Sequence, residues 1–329
     1  MERYIADVAE RVSLTRPLTA VAACGNGTAG AFAPEALLRM GVAVVVEMDC
    51  ELDWTFPKYN PNPEDHEMLT AMAEAVHQSG ADLALGFDGD GDRCGVVDDT
   101  GEEIFADKIG LMLARDLSAL YPDATFIVDV KSTGLFITDP VLKANGANTV
   151  YWKTGHSYIK RKTAELGALA GFEKSGHFFF NQPIGRGYDD GLVAAAAILA
   201  MLDRNPDKKL SDLKKALPIA FTSLTMSPHC SDETKYGVVE RVVKDYEDLA
   251  AVGGSILGRK IQSVLTVNGV RVTLEDGSWV LVRASSNKPE LVVVVESTQS
   301  EDDMRALFHQ EVKPRLAKQD GVGHYNQEI

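Results

Sequence analysis

Short apolar runs that alternate with amphipathic stretches, each run closing on a polar loop, narrow most sharply what this chain can fold into. The segments 18–24 and 42–46 read as strands around a helix over 31–40, and a second helix follows over 65–79. Residues 83–87 and 94–97 read as strands on either side of an Asp/Gly loop. The rhythm then repeats: helix over 107–120, strand over 125–130, helix over 135–144, strand over 149–152, helix over 157–166 and strand over 168–172. A polar loop leads from there to a helix beginning at Asp190. After a linker at 206–209 and a short segment at 211–216 the order changes to successive strands, 264–267, 270–274, 279–282 and 291–295. Helices near 234–250 and 301–316 frame them. The pattern predicts two related α/β domains with mixed sheets between helices, 1–104 and 105–212, followed by an α+β domain over 213–329. At 329 residues the chain is too long for a single compact core.

Charge excludes some functions. With 33 Lys and Arg against 48 Asp and Glu, the formal charge of -15 leaves no basic face to grip a nucleic acid backbone. A small phosphate ester can still bind where cations are gathered locally and a metal ion offsets nearby carboxylates. The longest apolar stretch, Leu192 to Leu202, is well short of the ~20 residues of a membrane-spanning helix and reads as a buried one. The N-terminus carries an early acid and no signal-peptide core. Cys24, Cys50, Cys94 and Cys230 form no Cys-x-x-Cys pair, so neither a zinc site nor a disulfide framework is signalled. A reduced, cytoplasmic setting is expected.

Three polar loops carry chemistry. In Asp88-Gly-Asp90-Gly-Asp92-Arg93 the carboxylates stand at alternate positions, so in extended backbone they lean to one side and would repel without a cation among them. All-oxygen ligation suits a hard ion, Mg²⁺ first, and Arg93 adds a fixed cation suited to a phosphoryl group. An EF-hand is excluded, because its sixth and twelfth positions would be Arg93 and Asp99 and a strand precedes. Glu173-Lys-Ser175-Gly-His177 likewise alternates an acceptor, a hydroxyl and an imidazole onto one side, a plausible reader of sugar hydroxyls. Upstream, His156 opens a helix in Lys-Thr-Gly-His-Ser, and Lys131 ends a strand. Arg283-Ala-Ser285-Ser286-Asn287-Lys-Pro supplies the donors of a metal-free phosphate clamp. Gly25 to Gly30 resembles a phosphate cradle but reads as a tight strand-to-helix turn, and Lys160 to Lys162 as a solvated helix face.

Taken in order, the segments 88–93, 153–157, 173–177 and 283–289 resemble the bacterial phosphomannomutase/phosphoglucomutase family of α-D-phosphohexomutases. The likeness covers essentially the whole chain and extends to Asp129-Val-Lys131 and Tyr188-Asp-Asp190-Gly191. It implies three α/β domains and a C-terminal domain resembling the TATA-binding-protein fold. Carried over by position, it implies that Asp88, Asp90 and Asp92 ligate Mg²⁺ and that Arg93 contacts the transferring phosphoryl group. Glu173 and Ser175 would read the 3- and 4-hydroxyls, while Lys131, His156 and His177 would orient substrate and move protons. Arg283, Ser285, Ser286 and Asn287 would hold the phosphate that is not reacting, although Ser286-Asn287 stands where Asn-Thr is common.

The family's first domain carries a Thr-Ala-Ser-His-Asn-Pro-like loop with the phosphorylated serine, and none occurs in these 329 residues. The expectation is therefore the second, third and fourth domains of a phosphohexomutase, without the N-terminal phosphoserine domain. Such a chain would act on hexose phosphates, with hexose 1,6-bisphosphate as the full enzyme's intermediate and activator. Alone it would lack mutase activity and bind Mg²⁺ weakly. Two alternatives are a non-catalytic sugar-phosphate binding module and a phosphatase using Asp88 as nucleophile.

Overall fold

Strands whose every side chain is apolar and buried belong inside a sheet covered on both faces. The computed structural model describes residues 1–329 in two units, and strands of this kind, at 83–87, 170–172 and 178–180, lie in the first. The first comprises Met1–Asp129, Pro140–Tyr151 and Gly155–Leu217, and the second Val130–Asp139, Trp152–Thr154 and Pro218–Ile329. No helix is long and apolar enough to cross a membrane.

The first unit begins with helix α1 (Glu2–Ala9), which the sequence reading did not foresee, and leads to β1 (Thr19–Ala23). Helix α2 (Ala33–Met40) stops at Gly41 in the left-handed conformation, and β2 (Val44–Met48) runs parallel to β1 at the sheet edge. Helix α3 (His66–Ser79) is N-capped by Asp65, which accepts from the amides of Glu67 and Met68 at 2.9 and 3.3 Å. Then β3 (Leu83–Phe87) lies parallel to β1, while β4 (Cys94–Asp98) and β5 (Glu103–Ile104) return antiparallel, giving the order β2-β1-β3-β4-β5.

Helix α4 (Ala106–Leu120) packs on β4 and also on the second sheet of the unit. That sheet holds β6 (Thr125–Asp129), β7 (Asn148–Trp152), β8 (Ala170–Phe172) and β9 (Phe178–Phe180) in the order β7-β6-β8-β9. The strand Phe178–Phe180 falls where the sequence reading placed a polar loop; its three phenylalanines are buried. The single helix expected over 135–144 is broken into α5 (Leu135–Thr138) and α6 (Pro140–Ala144), because proline at 140 cannot donate the amide bond that would join them. Helix α7 (His156–Glu165) precedes β8, and the apolar α8 (Gly191–Asp203) is a buried helix N-capped by Asp190. The unit closes with α9 (Leu210–Lys215).

The two sheets share one device. In each, a parallel strand ends and the chain reverses into an antiparallel neighbour: β3 into β4 through residues 88–93, and β8 into β9 through residues 173–177. Gly91 (φ 82°) and Gly176 (φ 96°) take the left-handed backbone these reversals need. Both candidate loops thus sit at the carboxyl end of a parallel strand, the end at which open α/β sheets bind ligands.

The second unit is a six-stranded sheet ordered β10-β15-β14-β13-β12-β11, from β10 (Phe221–Thr222), β11 (Ser255–Ile256), β12 (Arg259–Leu265), β13 (Val270–Leu274), β14 (Trp279–Ala284) and β15 (Leu291–Ser297). All its paired neighbours are antiparallel. On one face Val272, Val282, Val293 and Val295 pack with Val238, Val242 and Tyr246 of α10 (Lys235–Ala251) and with Leu307 and Phe308. The last helix is α11 (Glu301–Ala306), a π-helical stretch Leu307–Val312 and α12 (Lys313–Ala317). It widens just before Pro314, which lacks the amide proton an α-turn would use.

The segment 130–139 belongs to this second unit. The buried Arg271 guanidinium donates to the carbonyl oxygens of Val130 and Ser132 at 2.6 and 2.7 Å, and it stacks on Trp279 with its carbon 3.7 Å from the ring centroid. Glu296 accepts from the Gly134 amide at 2.7 Å and from the Trp279 indole at 2.8 Å.

Candidate active site

The loop after β3 is organised by its first carboxylate. Asp88, 3% exposed, accepts on Oδ1 from the amides of Gly91 and Arg93 at 3.1 and 3.0 Å, and on Oδ2 from Arg93 Nε at 2.6 Å. The second nitrogen end of Arg93 donates to Asn62 Oδ1 at 2.9 Å. Burial pushes the Asp88 carboxyl above its ordinary range, against the pull of those donors. Asp90 is exposed and Asp92 half-buried. Each of Asp88, Asp90 and Asp92 brings a carboxylate oxygen into a group spanning no more than 4.8 Å. Three convergent oxygen donors with one neighbouring guanidinium suit a hard divalent ion.

Glycines seat this loop on its neighbours. The Gly191 amide donates to Gly91 O at 3.1 Å, and a side chain at 191 would meet Arg93 O at 2.6 Å. On the other side Thr28 donates its amide to Gly89 O at 3.0 Å, and a side chain on Gly27 would meet Gly89 O at 2.9 Å. The 25–30 turn is thus a packing element that holds the aspartate loop. Tyr4 of α1 donates to the capping Asp190 at 2.8 Å, tying α1 to the start of α8.

The loop after β8 meets the aspartate loop directly. Arg93 and His177 form a backbone bridge, and Cys94 donates to Gly176 O at 3.1 Å. His177 Nε2 lies 3.3 Å from Asp92 Oδ1, while its Nδ1 lies 3.0 Å from Ser175 Oγ and 3.4 Å from Glu173 Oε2. Burial pulls the imidazole down, but the carboxylates of Asp92 and Glu173 outweigh it and hold His177 above its ordinary value. The same contact with His177 holds Asp92 below the usual carboxylate range. Glu173, buried, accepts from the Gly155 amide at 2.5 Å, which fixes the start of α7. There His156 stacks on His177 with centroids 5.7 Å apart, and its Nδ1 lies 3.1 Å from Asp189 Oδ2.

In the second unit, Arg283, Ser285, Ser286 and Asn287 lie at the turn between β14 and β15. Arg283 is buried and donates to Ala284 O at 2.9 Å. Ser285 Oγ accepts from the amides of Asn287 and Lys288 at 3.4 and 3.3 Å, while Ser286, Asn287 and Lys288 are exposed. Lys131 is half-buried between the two carbonyls that Arg271 binds.

Three models of one family match in order: phosphoglucomutase/phosphomannomutase alpha/beta/alpha domain II over residues 2–101, domain III over 105–221 and the C-terminal domain over 233–313. The chain belongs to the phosphoglucomutase/phosphomannomutase family. It is 36% identical over 315 residues to a phosphomannomutase/phosphoglucomutase of Pseudomonas syringae pv. tomato, a match covering 95% of this chain and 64% of that protein. A phosphoglucomutase of Neisseria gonorrhoeae is 34% identical over 296 residues, covering 89% of this chain and 60% of its own. The chain thus spans less than two thirds of the length of these relatives. A crystal structure of a phosphoglucomutase/phosphomannomutase family protein from Burkholderia thailandensis superposes with a TM-score of 0.83 at 29% identity, covering 98% of this chain and 66% of that one.

In this family member several site residues escaped the sequence reading. Asp189 binds both His156 and Lys160, whose Nζ donates to Asp189 Oδ1 at 2.9 Å, so Lys160 is no mere solvated side chain. The fixed tether of Arg93, Asn62, comes from a loop 31 residues upstream. Lys235 is buried beneath the second-unit turn and donates to Lys288 O at 3.0 Å. The aspartate pair at 189–190 following a tyrosine was the only sequence signal for any of these; the other two contacts depend on tertiary approach.

Proposed function

We propose that this chain carries the metal-binding, hydroxyl-reading and phosphate-anchoring parts of a phosphohexomutase, an isomerase that interconverts hexose 1-phosphate and hexose 6-phosphate through a bisphosphate. Asp88, Asp90 and Asp92 are the residues that would hold Mg²⁺, which when bound supplies positive charge to the transferring phosphoryl group. Arg93 is held in line by Asp88 and Asn62, so its guanidinium is preorganised to neutralise phosphoryl oxygens without reorientation. Glu173 and Ser175 accept and donate to the 3- and 4-hydroxyls of the sugar. His177, whose imidazole is raised by its two carboxylate neighbours, donates toward substrate oxygens, and His156 and Lys131 orient the substrate. Arg283, Ser285, Ser286 and Asn287 hold the second phosphate. Because a mutase must bind its sugar in two orientations, hydroxyl reading and phosphate anchoring serve either end alike.

What supports this reading above all is the 3.3 Å approach of His177 to Asp92, which joins the metal loop to the hydroxyl-reading loop. These 329 residues contain no phosphoserine loop, so the chain alone is expected to bind Mg²⁺ weakly and to turn over no substrate. In this reading the family's second, third and fourth domains span 1–104, 105–212 and 213–329, the partner of the reaction is a hexose phosphate, and four free thiols fit the cytoplasm. Calorimetry with glucose 1-phosphate in Mg²⁺ should show saturable binding, with no conversion of mannose 1-phosphate to mannose 6-phosphate. Failure to bind any hexose phosphate would sink the reading, and phosphate release abolished by Asp88→Asn would replace it with the phosphatase.

A further inference from the structure

At the ends of two adjacent parallel strands the chain sets two thiols against each other. Cys24 follows β1 and Cys50 lies two residues past β2, and their sulfurs are 3.4 Å apart. Cys24 is fully buried, whereas Cys50 is partly exposed. The other two thiols, Cys94 and Cys230, are buried apart from this pair. We propose that Cys24 and Cys50 are a modification site, a dithiol that closes reversibly to a disulfide when peroxide reaches Cys50.

Cys50 donates to the Cys24 sulfur and is partly exposed where Cys24 is buried, so Cys50 is the thiol that peroxide meets first. The balance is complete with hydrogen peroxide as oxidant. The Cys50 thiolate attacks one peroxide oxygen, the O–O bond breaks, and Cys50 becomes a sulfenic acid as the leaving hydroxide takes a proton to form water. The Cys24 sulfur then attacks Cys50 sulfur; the S–S bond forms, the S–O bond breaks, and hydroxide leaves with the Cys24 proton as a second water. Two thiols and one peroxide give one disulfide and two waters. A disulfide needs sulfurs at about 2.05 Å, so they must approach by roughly 1.4 Å.

That movement acts on backbone which supports the aspartate loop. The Cys24 amide donates to Met48 O at 3.0 Å and the Asn26 amide to Asp49 O at 2.7 Å, while a side chain at Gly30 would meet Cys50 O at 2.1 Å. Thr28 in the same turn donates to Gly89 O at 3.0 Å. The link therefore tightens the turn on which Asp88 to Asp92 rests, and it stands whether or not the mutase reading holds.

The test uses the full chain treated with excess hydrogen peroxide, then denatured for thiol titration and peptide mapping. Two of the four thiols should disappear, a Cys24–Cys50 linked peptide should appear, and dithiothreitol should restore both. In Cys24→Ser, Cys50 should instead accumulate as a sulfenic acid trapped by dimedone. Amide resonances of Gly27, Thr28 and Gly89 should shift on oxidation of the wild type, and those of Ser285 to Asn287 should not. Retention of all four thiols, a link through Cys94 or Cys230, or a persistent Cys50 sulfenic acid in the wild type would overturn the assignment. Unmoved resonances at Gly27, Thr28 and Gly89 would remove the coupling to the aspartate loop. The wild-type map decides the matter even where a variant fails to fold.

Discussion

Replacing Gly191 by alanine asks whether the start of α8 sets the shape of the aspartate loop. The added carbon would stand 2.6 Å from Arg93 O, 2.8 Å from Gly91 O and 3.1 Å from the Arg93 carbonyl carbon. All three are backbone atoms, so no side chain can swing aside, and relief requires the loop or the helix to move. Overpacking of this kind costs about 1–3 kcal/mol, against a gain of at most about 1 kcal/mol from alanine's helix propensity. Gly191 is the first residue of α8, where little of that gain is realised, so a net loss of about 1–3 kcal/mol remains, roughly 2–12 °C in melting temperature for a unit of this size. Gly237→Ala is the matched control: its carbon would find only Arg241 Nη1 at 3.7 Å, so the same substitution in α10 should stabilise. Urea unfolding of both variants, with Mg²⁺ titrated calorimetrically, provides the readout. Gly191→Ala should lose stability and bind Mg²⁺ more weakly, Gly237→Ala neither. Equal stability of Gly191→Ala and wild type would refute the claim that the loop is wedged against α8.

Other consequences are equally concrete. The His177 imidazole is raised by Asp92 and Glu173, so its contribution to stability is full below about pH 6.5, the unfolded value, and is lost as pH rises through the higher folded value. Unfolding free energy should therefore fall from pH 6.5 upward, and His177→Gln should flatten that slope; an unchanged slope would refute the pairing. Glu173→Gln should weaken hexose phosphate binding roughly 10- to 100-fold, as expected for loss of a charge-assisted hydrogen bond worth about 1.5–3 kcal/mol, and calorimetry would measure it. Arg271→Met leaves the carbonyls of Val130 and Ser132 without their buried donor and should destabilise the second unit by about 2–5 kcal/mol in urea unfolding. A loss below the resolution of that measurement would contradict the role given to Arg271.

Local chemistry made the site loops legible and left the supports around them hidden. Asp88, Asp90 and Asp92 stood out because alternate carboxylates after an apolar run have few structural uses, and they do converge. The reason differs in part from the extended geometry the spacing suggested. Asp88 turns inward to cap its own loop and bind Arg93, while Asp90 remains exposed. The phenylalanines 178–180 have no alternation to mark them as a strand, since both faces are buried, and were hidden inside a polar stretch. The π-helical widening before Pro314 and the break at Pro140 are proline effects that periodicity smooths over. Lys131 shows the deepest limit. Its strand-end position was readable, but the attachment of residues 130–139 to the second sheet depends on Arg271, far along the chain.

The proposed function requires a divalent cation held by the aspartate loop beside the hydroxyl-reading loop. Adding Mn²⁺ as a paramagnetic substitute and recording amide spectra tests this most directly. Broadening should begin at residues 88–93 and spread to 173–177, and Asp92→Asn should weaken it. Broadening that starts elsewhere, or that survives Asp88→Asn and Asp92→Asn together, would contradict the assignment.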